Sequence, residues 1–428
     1  MRTRSLFRTT VFSCVFWMLA VPASAESLNA AVFRAVSSHP EILALAANKR
    51  AIDQELEAAK GLSRSRINAE AKTGYLIDNN TDQMYSEAAV KFVHPLYDGG
   101  KASSEKKRQT ERVSSAERRT EDAAATIALQ VVQAYLEVQR SRTVQALAAN
   151  HLKATQAIVG RVANRVNAGL SDQTDMQQAR ARLLAAKDSK AEAALRAQDA
   201  VTLYLTATGE APANLKTPEL PKRYLAKSLR EVIAQSKNSS SKILALQHDA
   251  AAAEYAIGTA KSASRPKLDA ELSAAYRDEI AGSSAENTSL RAMLVMSFDL
   301  YNGGINQARV AESKERAEEA RYQVEAAKLS VEREIRLAWN QYVTMSERVA
   351  IYKSQASSNK TLSHLRLDQY EAGTSSLIGV LDAQNESFIA AMQSVNEEYA
   401  GRFSFYKMLA ASGKLLDACK VYETAAAN

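Results

Sequence analysis

Leu96-Tyr97-Asp98-Gly99-Gly100 returns 204 residues later as Leu300-Tyr301-Asn302-Gly303-Gly304. The echo extends in both directions. Downstream, Ala134-Tyr135 matches Ala338-Trp339, Gly169 matches Gly373 and Ala179 matches Ala383, all at offset 204. Upstream, Ile42-Leu43-Ala44-Leu45 recurs as Ile243-Leu244-Ala245-Leu246 at offset 201, and Ala59-Lys60 and Ser63-Arg64 recur as Ala260-Lys261 and Ser264-Arg265. One offset held over so many positions marks a duplicated structural unit. The change of offset falls between Tyr75/Tyr276 and Leu96/Leu300, so a loop there is three residues longer in the second copy. Length differences of that kind belong to exposed loops.

Each copy is mostly helical. The chain of 428 residues has only 7 prolines and 15 glycines, 6% aromatic residues and 24% charged ones, with a mean hydropathy of −0.29. That profile suits long Ala-rich helices and excludes a β-sandwich or a disordered chain. No proline occurs from 96 to 211 or from 267 to 428, and proline inside a helix costs ~3 kcal/mol or more. Residues 101–168 and 305–372 are rich in good helix formers, and each would run roughly 100 Å at ~1.5 Å per residue. Gly169 and Gly373 stand where C-terminal caps belong, and returning helices are expected over 171–208 and 376–412. Such lengths imply coiled-coil packing. The prolines Pro212, Pro218 and Pro221 mark a linker, 212–227, between a first repeat, 26–211, and a second, 228–416, followed by a tail, 417–428. A shorter helix precedes a hairpin in each repeat.

The hairpins, at about 67–93 and 268–299, have a different period. Ile67, Ala69, Ala71, Thr73 and Tyr75 alternate with Asn68, Glu70, Lys72 and Gly74; Leu268, Ala270, Leu272, Ala274 and Tyr276 alternate with Asp269, Glu271 and Ser273. The returning strands do the same, with Ala88, Val90 and Phe92, then Ala292, Leu294, Met296 and Phe298. Alternation over about ten residues suits a strand with one face to lipid and one to a polar lumen. It also suits hairpins packed on a soluble core, but no second sheet is in sight to pack on. Tyr75, Tyr85, Tyr97, Tyr276 and Tyr301 fall near strand ends, where an interfacial belt would put them. Four strands cannot close a membrane barrel, since the smallest have about eight. If the strands span a membrane, several chains share one barrel.

Residues 1–25 read as a secretory signal. Arg2, Arg4 and Arg8 precede an apolar stretch, Val11–Val21, and Ala23-Ser24-Ala25 gives the small-x-small pattern before Glu26. Its removal takes Cys14 and lowers the net charge from +7 to +4, leaving Cys419 with no partner for an intramolecular disulfide. Such a mild charge does not call for nucleic acid. Chemistry finds no foothold: His39, His94, His151, His248 and His364 are scattered, without metal-binding spacing. Gly99-Gly100 and Gly303-Gly304 are strand–helix joints and not phosphate cradles, and there is no G-x-S-x-G. The expectation is no enzyme, no cofactor and no metal.

Taken together, the two repeats, the Leu-Tyr-x-Gly-Gly joints and the segments Gly169-Leu170 to Asp175-Met176-Gln177-Gln178-Ala179 and Gly373-Thr374 to Val380-Leu381-Asp382-Ala383 resemble the TolC-like outer-membrane efflux proteins. Tyr399–Leu416 is most similar to the branch that serves type I secretion. The resemblance implies a homotrimer, with a 12-stranded β-barrel in outer-membrane lipid and a 12-helix tunnel across the periplasm of a Gram-negative cell. It implies passive export through the lumen, with a periplasmic adaptor linking the tunnel to an inner-membrane ABC exporter or proton-driven pump. A soluble periplasmic adaptor is the alternative reading of the helices alone. By position, Asp175 and Tyr370 match residues of a network that closes the periplasmic tip, and Asp382 matches a carboxylate ringing the constriction. Ser375 stands where an arginine often ties neighbouring helices, and Gly379 where a second carboxylate ring is often found, which implies fewer charge contacts and weaker cation selectivity. Asp175 and Asp382 also suit a plainer role, as first-turn carboxylates at a helix N-terminus. Mass spectrometry of the exported protein is expected to place its first residue at Glu26; retention of residues 1–25 would overturn the cleavage reading.

Overall fold

The computed structural model describes residues 26–421, apart from 79–80, 225–226 and 281–286. The signal segment 1–25 and the end of the tail, 422–428, lie outside the described residues, as does the segment 281–286 that holds the extra loop length. The first repeat runs α1 (Leu28–Ser38), α2 (Pro40–Gly61), β1 (Arg66–Asp78), β2 (Thr81–Tyr97), α3 (Lys101–Asn167) and α4 (Gln173–Thr208). The second runs α5 (Leu229–Ser239), α6 (Ser241–Ser262), β3 (Lys267–Ile280), β4 (Asn287–Ser297), α7 (Ile305–Glu371) and α8 (Leu377–Ala411), and α9 (Leu415–Ala418) follows. The two long helices have 67 residues each.

Several boundaries differ from the sequence expectation for local reasons. The single helix expected before each hairpin is two. Pro40 sits at the start of α2 and His39 is extended, because proline suits the first helical turn and bars the residue before it from helical backbone. The first hairpin reaches Tyr97 and accommodates Pro95 by a register shift between Pro95 and Tyr97, a bulge being one of the few places a strand tolerates proline. The second hairpin stops at Ser297, so Phe298 and Asp299 lie beyond the strand. The chain after 416 is not a free tail as far as it is described. It turns at Gly413, φ +72, and buries Leu415, Leu416, Ala418, Cys419 and Val421 in the main core.

The four strands form one antiparallel sheet in the order β1-β2-β3-β4. Its register aligns the alternation of every strand. Ile67 faces Phe92, Phe92 faces Leu272 and Leu272 faces Ala292; one step on, Ala69, Val90, Ala274 and Leu290 make the next apolar row. The intervening rows are polar: Asn68, Lys91, Ser273 and Arg291, then Lys72, Glu87, Arg277 and Asn287. On this polar face Lys91 pairs with Glu271 at 2.8 Å and Lys72 with Glu70 at 2.9 Å. On the other, Ile67, Leu290 and Leu294 are 70–75% exposed, an apolar surface that no monomeric soluble domain presents without a reason. Position 85 pairs with Gly74 and Glu279, in the polar register rather than the belt expected for Tyr85, whose side chain lies outside the described residues.

Below the sheet, α3 packs on α4 and α8, and α8 packs on α7; nearer the sheet, α6 lies between α3 and α7. Away from the sheet the helices therefore make a layer in the order α4-α3-α8-α7, with α4 and α7 at its edges. These edge helices leave Leu184, Leu195 and Leu203, and Leu329, Leu337, Val343 and Ile351, exposed. Midway along the long helices a belt forms the main core. It joins α1, the middle of α3 and α7, α5, α9 and the ends of α4 and α8 around Tyr135, Tyr204, Ile335 and Phe405. Tyr135, fully buried, donates its hydroxyl toward the carbonyls of Glu26, 2.8 Å, and Lys216, 2.6 Å. One side chain thus fastens both the chain's first described residue and the inter-repeat linker to α3.

Among the described residues no helix is long and apolar enough to cross a membrane; the sheet supplies the apolar face instead. Arginine at Ala71 or Leu272 is expected to cut outer-membrane assembly, by ~2–4 kcal/mol near mid-membrane. Arginine at Glu70 is expected to be tolerated. Heat-modifiable migration on gels reads the difference, and equal behaviour of the two faces would overturn the assignment.

Candidate functional site: the helical tip

The turns at Gly169 and Gly373 lie at the ends of α3 and α7, some 100 Å of helix from the sheet at ~1.5 Å per residue. Both glycines have positive φ, +69 and +77, the left-handed conformation that L side chains adopt at a cost. The strand–helix joints use the same device: Gly99, Gly100, Gly303 and Gly304 have φ between +69 and +87. Gly99 is the most constrained, since a Cβ there would sit 2.8 Å from the Ser262 carbonyl oxygen.

After the first turn, Asp172 caps α4 by accepting the Asp175 N–H at 2.9 Å. Asp175 is then free to use its own carboxylate sideways. Its Oδ2 accepts from the Tyr370 hydroxyl of α7 at 3.0 Å and from the Ser171 hydroxyl, and the two hydroxyls lie 3.0 Å apart. Tyr370 is 4% exposed. Its burial raises the hydroxyl above its ordinary value, the nearby Asp175 carboxylate adding to the effect, so it stays a proton donor at any physiological pH. The network thus ties α4 of the first repeat to α7 of the second. Beneath it Ile158, Val162, Met176, Ala179, Leu377, Val380 and Leu381 form a small apolar cluster.

Two arginines of α3 extend the network. Arg161 pairs with Glu371 at 2.5 Å; Arg165 donates to the Glu371 carbonyl at 2.5 Å and lays its guanidinium 5.0 Å from the Tyr370 ring centroid, within cation–π range. Ser375 is no arginine, but charge is supplied from the other side of the seam. The signal for these residues was the basic pair at i and i+4 just before the Gly169 turn.

Asp382 is placed differently from Asp175. It is the sixth residue of α8, which starts at Leu377, so it lies beyond the first turn and the helix-start reading does not apply to it. It is ion-paired with Arg182 of α4 at 2.7 Å, both side chains being about half exposed. Gly379, one turn nearer the tip, lies under the guanidinium of Arg366. Neither Arg182 nor Arg366 was singled out by the sequence, because each meets its neighbour across a helix–helix contact. Among the described residues no group of His, Cys, Asp or Glu side chains can hold a metal ion. The tip can hold helices together and present charge.

The family described as outer membrane efflux protein matches residues 32–210 and 232–409, one match per repeat. The outer membrane efflux protein BepC of Brucella suis biovar 1 (strain 1330) is 24% identical over 92% of this chain and 86% of its own length. The outer membrane protein TolC of Salmonella enteritidis is 21% identical over 88% of this chain and 80% of its own. Among solved structures, the outer-membrane channel OprN superposes with a TM-score of 0.82 at 17% identity, covering 90% of each chain. With both repeats matched, and a sheet and tunnel wall of the same architecture, the chain belongs to the outer membrane efflux protein family: it is a TolC-like outer-membrane channel with a periplasmic tunnel, part of a tripartite export system.

Proposed function

We propose that this chain forms a homotrimeric exit duct, gated at its helical tip, through which an inner-membrane transporter and a periplasmic adaptor export cargo without chemistry on the duct's part. Outer-membrane efflux proteins form trimers and work with adaptors and inner-membrane pumps. The observation that carries the reading for this chain is the pair of matching free edges. In the sheet, β1 and β4 have no outer neighbour among the described residues. In the tunnel wall, α4 and α7 carry exposed leucines on opposite edges. A head-to-tail contact of unlike edges closes into a ring if the rotation permits. Three copies supply twelve strands, an allowed barrel size, and twelve long helices. The tip network then acts as a latch: Asp175, Tyr370 and Ser171 hold α4 to α7 when the tip is shut.

The cargo reading rests on less of the chain. Tyr399–Leu416 is similar to the type I secretion branch, which favours protein passed on by an ABC exporter. Efflux of small molecules through a proton-driven pump is the second reading, favoured by the efflux protein BepC. Deleting the gene separates them: loss of a protein from the culture medium supports the first, and drug sensitivity with an unchanged secretome supports the second.

The latch has its own test. Asp175→Ala removes a charge-assisted hydrogen bond to Tyr370, worth ~1.5–3 kcal/mol. It is expected to raise single-channel conductance in planar bilayers and detergent leak in cells while the trimer stays intact on gels. A soluble periplasmic monomer would overturn the duct reading; an intact trimer with unchanged conductance would overturn only the latch.

A further inference from the structure

Among the charged side chains of the tip, Arg366 is half-buried and stands outside the network just described. Arg366 lies one turn before Tyr370 on α7 and reaches across the seam to α8, its guanidinium lying over Gly379. A Cβ at 379 would fall 3.2 Å from its Cζ and nearer still to Nη1. Among the described residues no hydrogen bond or ion pair holds this guanidinium, and the residue is only half-buried. Burying an unpaired charge is costly, so its five N–H donors must face water or an anion. Gly379 and Asp382 are three residues apart on α8 and share a face. Asp382 is already matched by Arg182 at 2.7 Å. Of the other charges nearby, Asp175 is committed to Tyr370 and Arg161 to Glu371, while Asp368, two residues along α7, and Arg180 of α4 are exposed to water. Glu386 is exposed one further turn from the tip, behind the Arg366 level for a molecule entering from the tip.

We infer that the neck of this duct is a guanidinium site for anionic groups, with Arg366 as the side chain that sets its selectivity and Arg182 as the counter-charge that silences the Asp382 carboxylate. The inference rests on the trimeric duct proposed above. In the ring, three copies of Arg366 stand at one level around the axis, and fields of like charge focused in a narrow passage raise the local concentration of the opposite ion. A planar guanidinium fork matches phosphate and carboxylate oxygens two at a time. Cargo that presents phosphate or carboxylate groups would therefore be drawn to this neck, and polycations would not.

The test uses purified trimer in planar bilayers, with inorganic tripolyphosphate, citrate or spermine added on the tip side. Tripolyphosphate and citrate, tested separately, distinguish phosphate from carboxylate preference, and block by either supports the inference. Arg366→Gln is expected to weaken that block about tenfold or more, the loss of a hydrogen bond between charged groups. Should that variant fail to assemble, Arg366→Lys keeps the charge without the fork and is expected to give an intermediate block. Asp382→Asn frees Arg182 and is expected to tighten anion block, whereas Arg182→Gln exposes the carboxylate and is expected to introduce block by spermine. A conducting trimer that is blocked by spermine and indifferent to both anions overturns the inference and leaves the duct standing. So does an unchanged block in both Arg366 variants. A trimer that conducts nothing overturns the duct reading, and this inference with it.

Discussion

Everything in this molecule follows from backbone hydrogen bonding at the two outer strands. In lipid there is no water to satisfy an exposed N–H or C=O, each unsatisfied group costs several kcal/mol, and spanning sheets must close. A sheet of four strands in the order β1-β2-β3-β4 cannot close on itself. Its edges are met by further copies or not at all. The register makes the same demand from the side chains, since rows such as Ile67, Phe92, Leu272 and Ala292 put all four strands' apolar residues on one face. The helices inherit the symmetry. Each hairpin feeds a 67-residue helix through a double-glycine joint, so whatever number of copies closes the barrel also sets the number of helices below it.

How much of this was legible in the sequence depended on range. The duplicated unit, the glycine turns and the alternating strands are written in local patterns, and the helix and strand assignments follow from period alone. The break between α1 and α2 was visible in Pro40 once its position is read as a helix start, whereas the break at Ser240 between α5 and α6 carries no such mark. What was not legible is whatever depends on how helices distant in the chain cross. Arg182 meets Asp382 200 residues away, and Arg366 meets Gly379 across the α7–α8 seam. Charged residues on a long helix look like a solvated face in any periodicity, so neither arginine stood out. The docking of Cys419 into the belt was hidden for a similar reason. Its environment is built by other elements, and their packing pushes its thiol up to about 12 by burial, an inert group rather than a reactive one.

The two repeats are alike in backbone and unlike in how they end. The first turn is capped by an aspartate side chain, and its third helical residue is Asp175. The second begins at Ser376 with no side-chain cap, and its aspartate comes a turn later. Duplication supplied two arms, and divergence at their tips left the hydrogen-bond acceptor, Asp175, on the first and its donor, Tyr370, on the second. At the duplicated positions, 204 residues away, stand Gly379 and Val166, so this bond has no counterpart in the other half of the tip.

The joint between the repeats is also uneven along its length. In the belt, the repeats are joined by more than two dozen buried residues, including Tyr135, Ile335, Phe405 and Leu409, and separating them would expose apolar surface at roughly 25 cal/mol per Å². At the tip the shared apolar cluster has only eight buried residues. The polar bonds above it are each worth ~1–3 kcal/mol and are replaced by water when broken. Local opening proceeds from the least stable end of a structure. The belt, fastened by Tyr135 to both chain segments that cross it, is therefore a stronger joint between the repeats than the tip. Between belt and tip the described apolar core thins further, to Val144, Ala148 and Ala193 flanked by Phe388, Met392 and Val395, so the repeats are held above all at the belt.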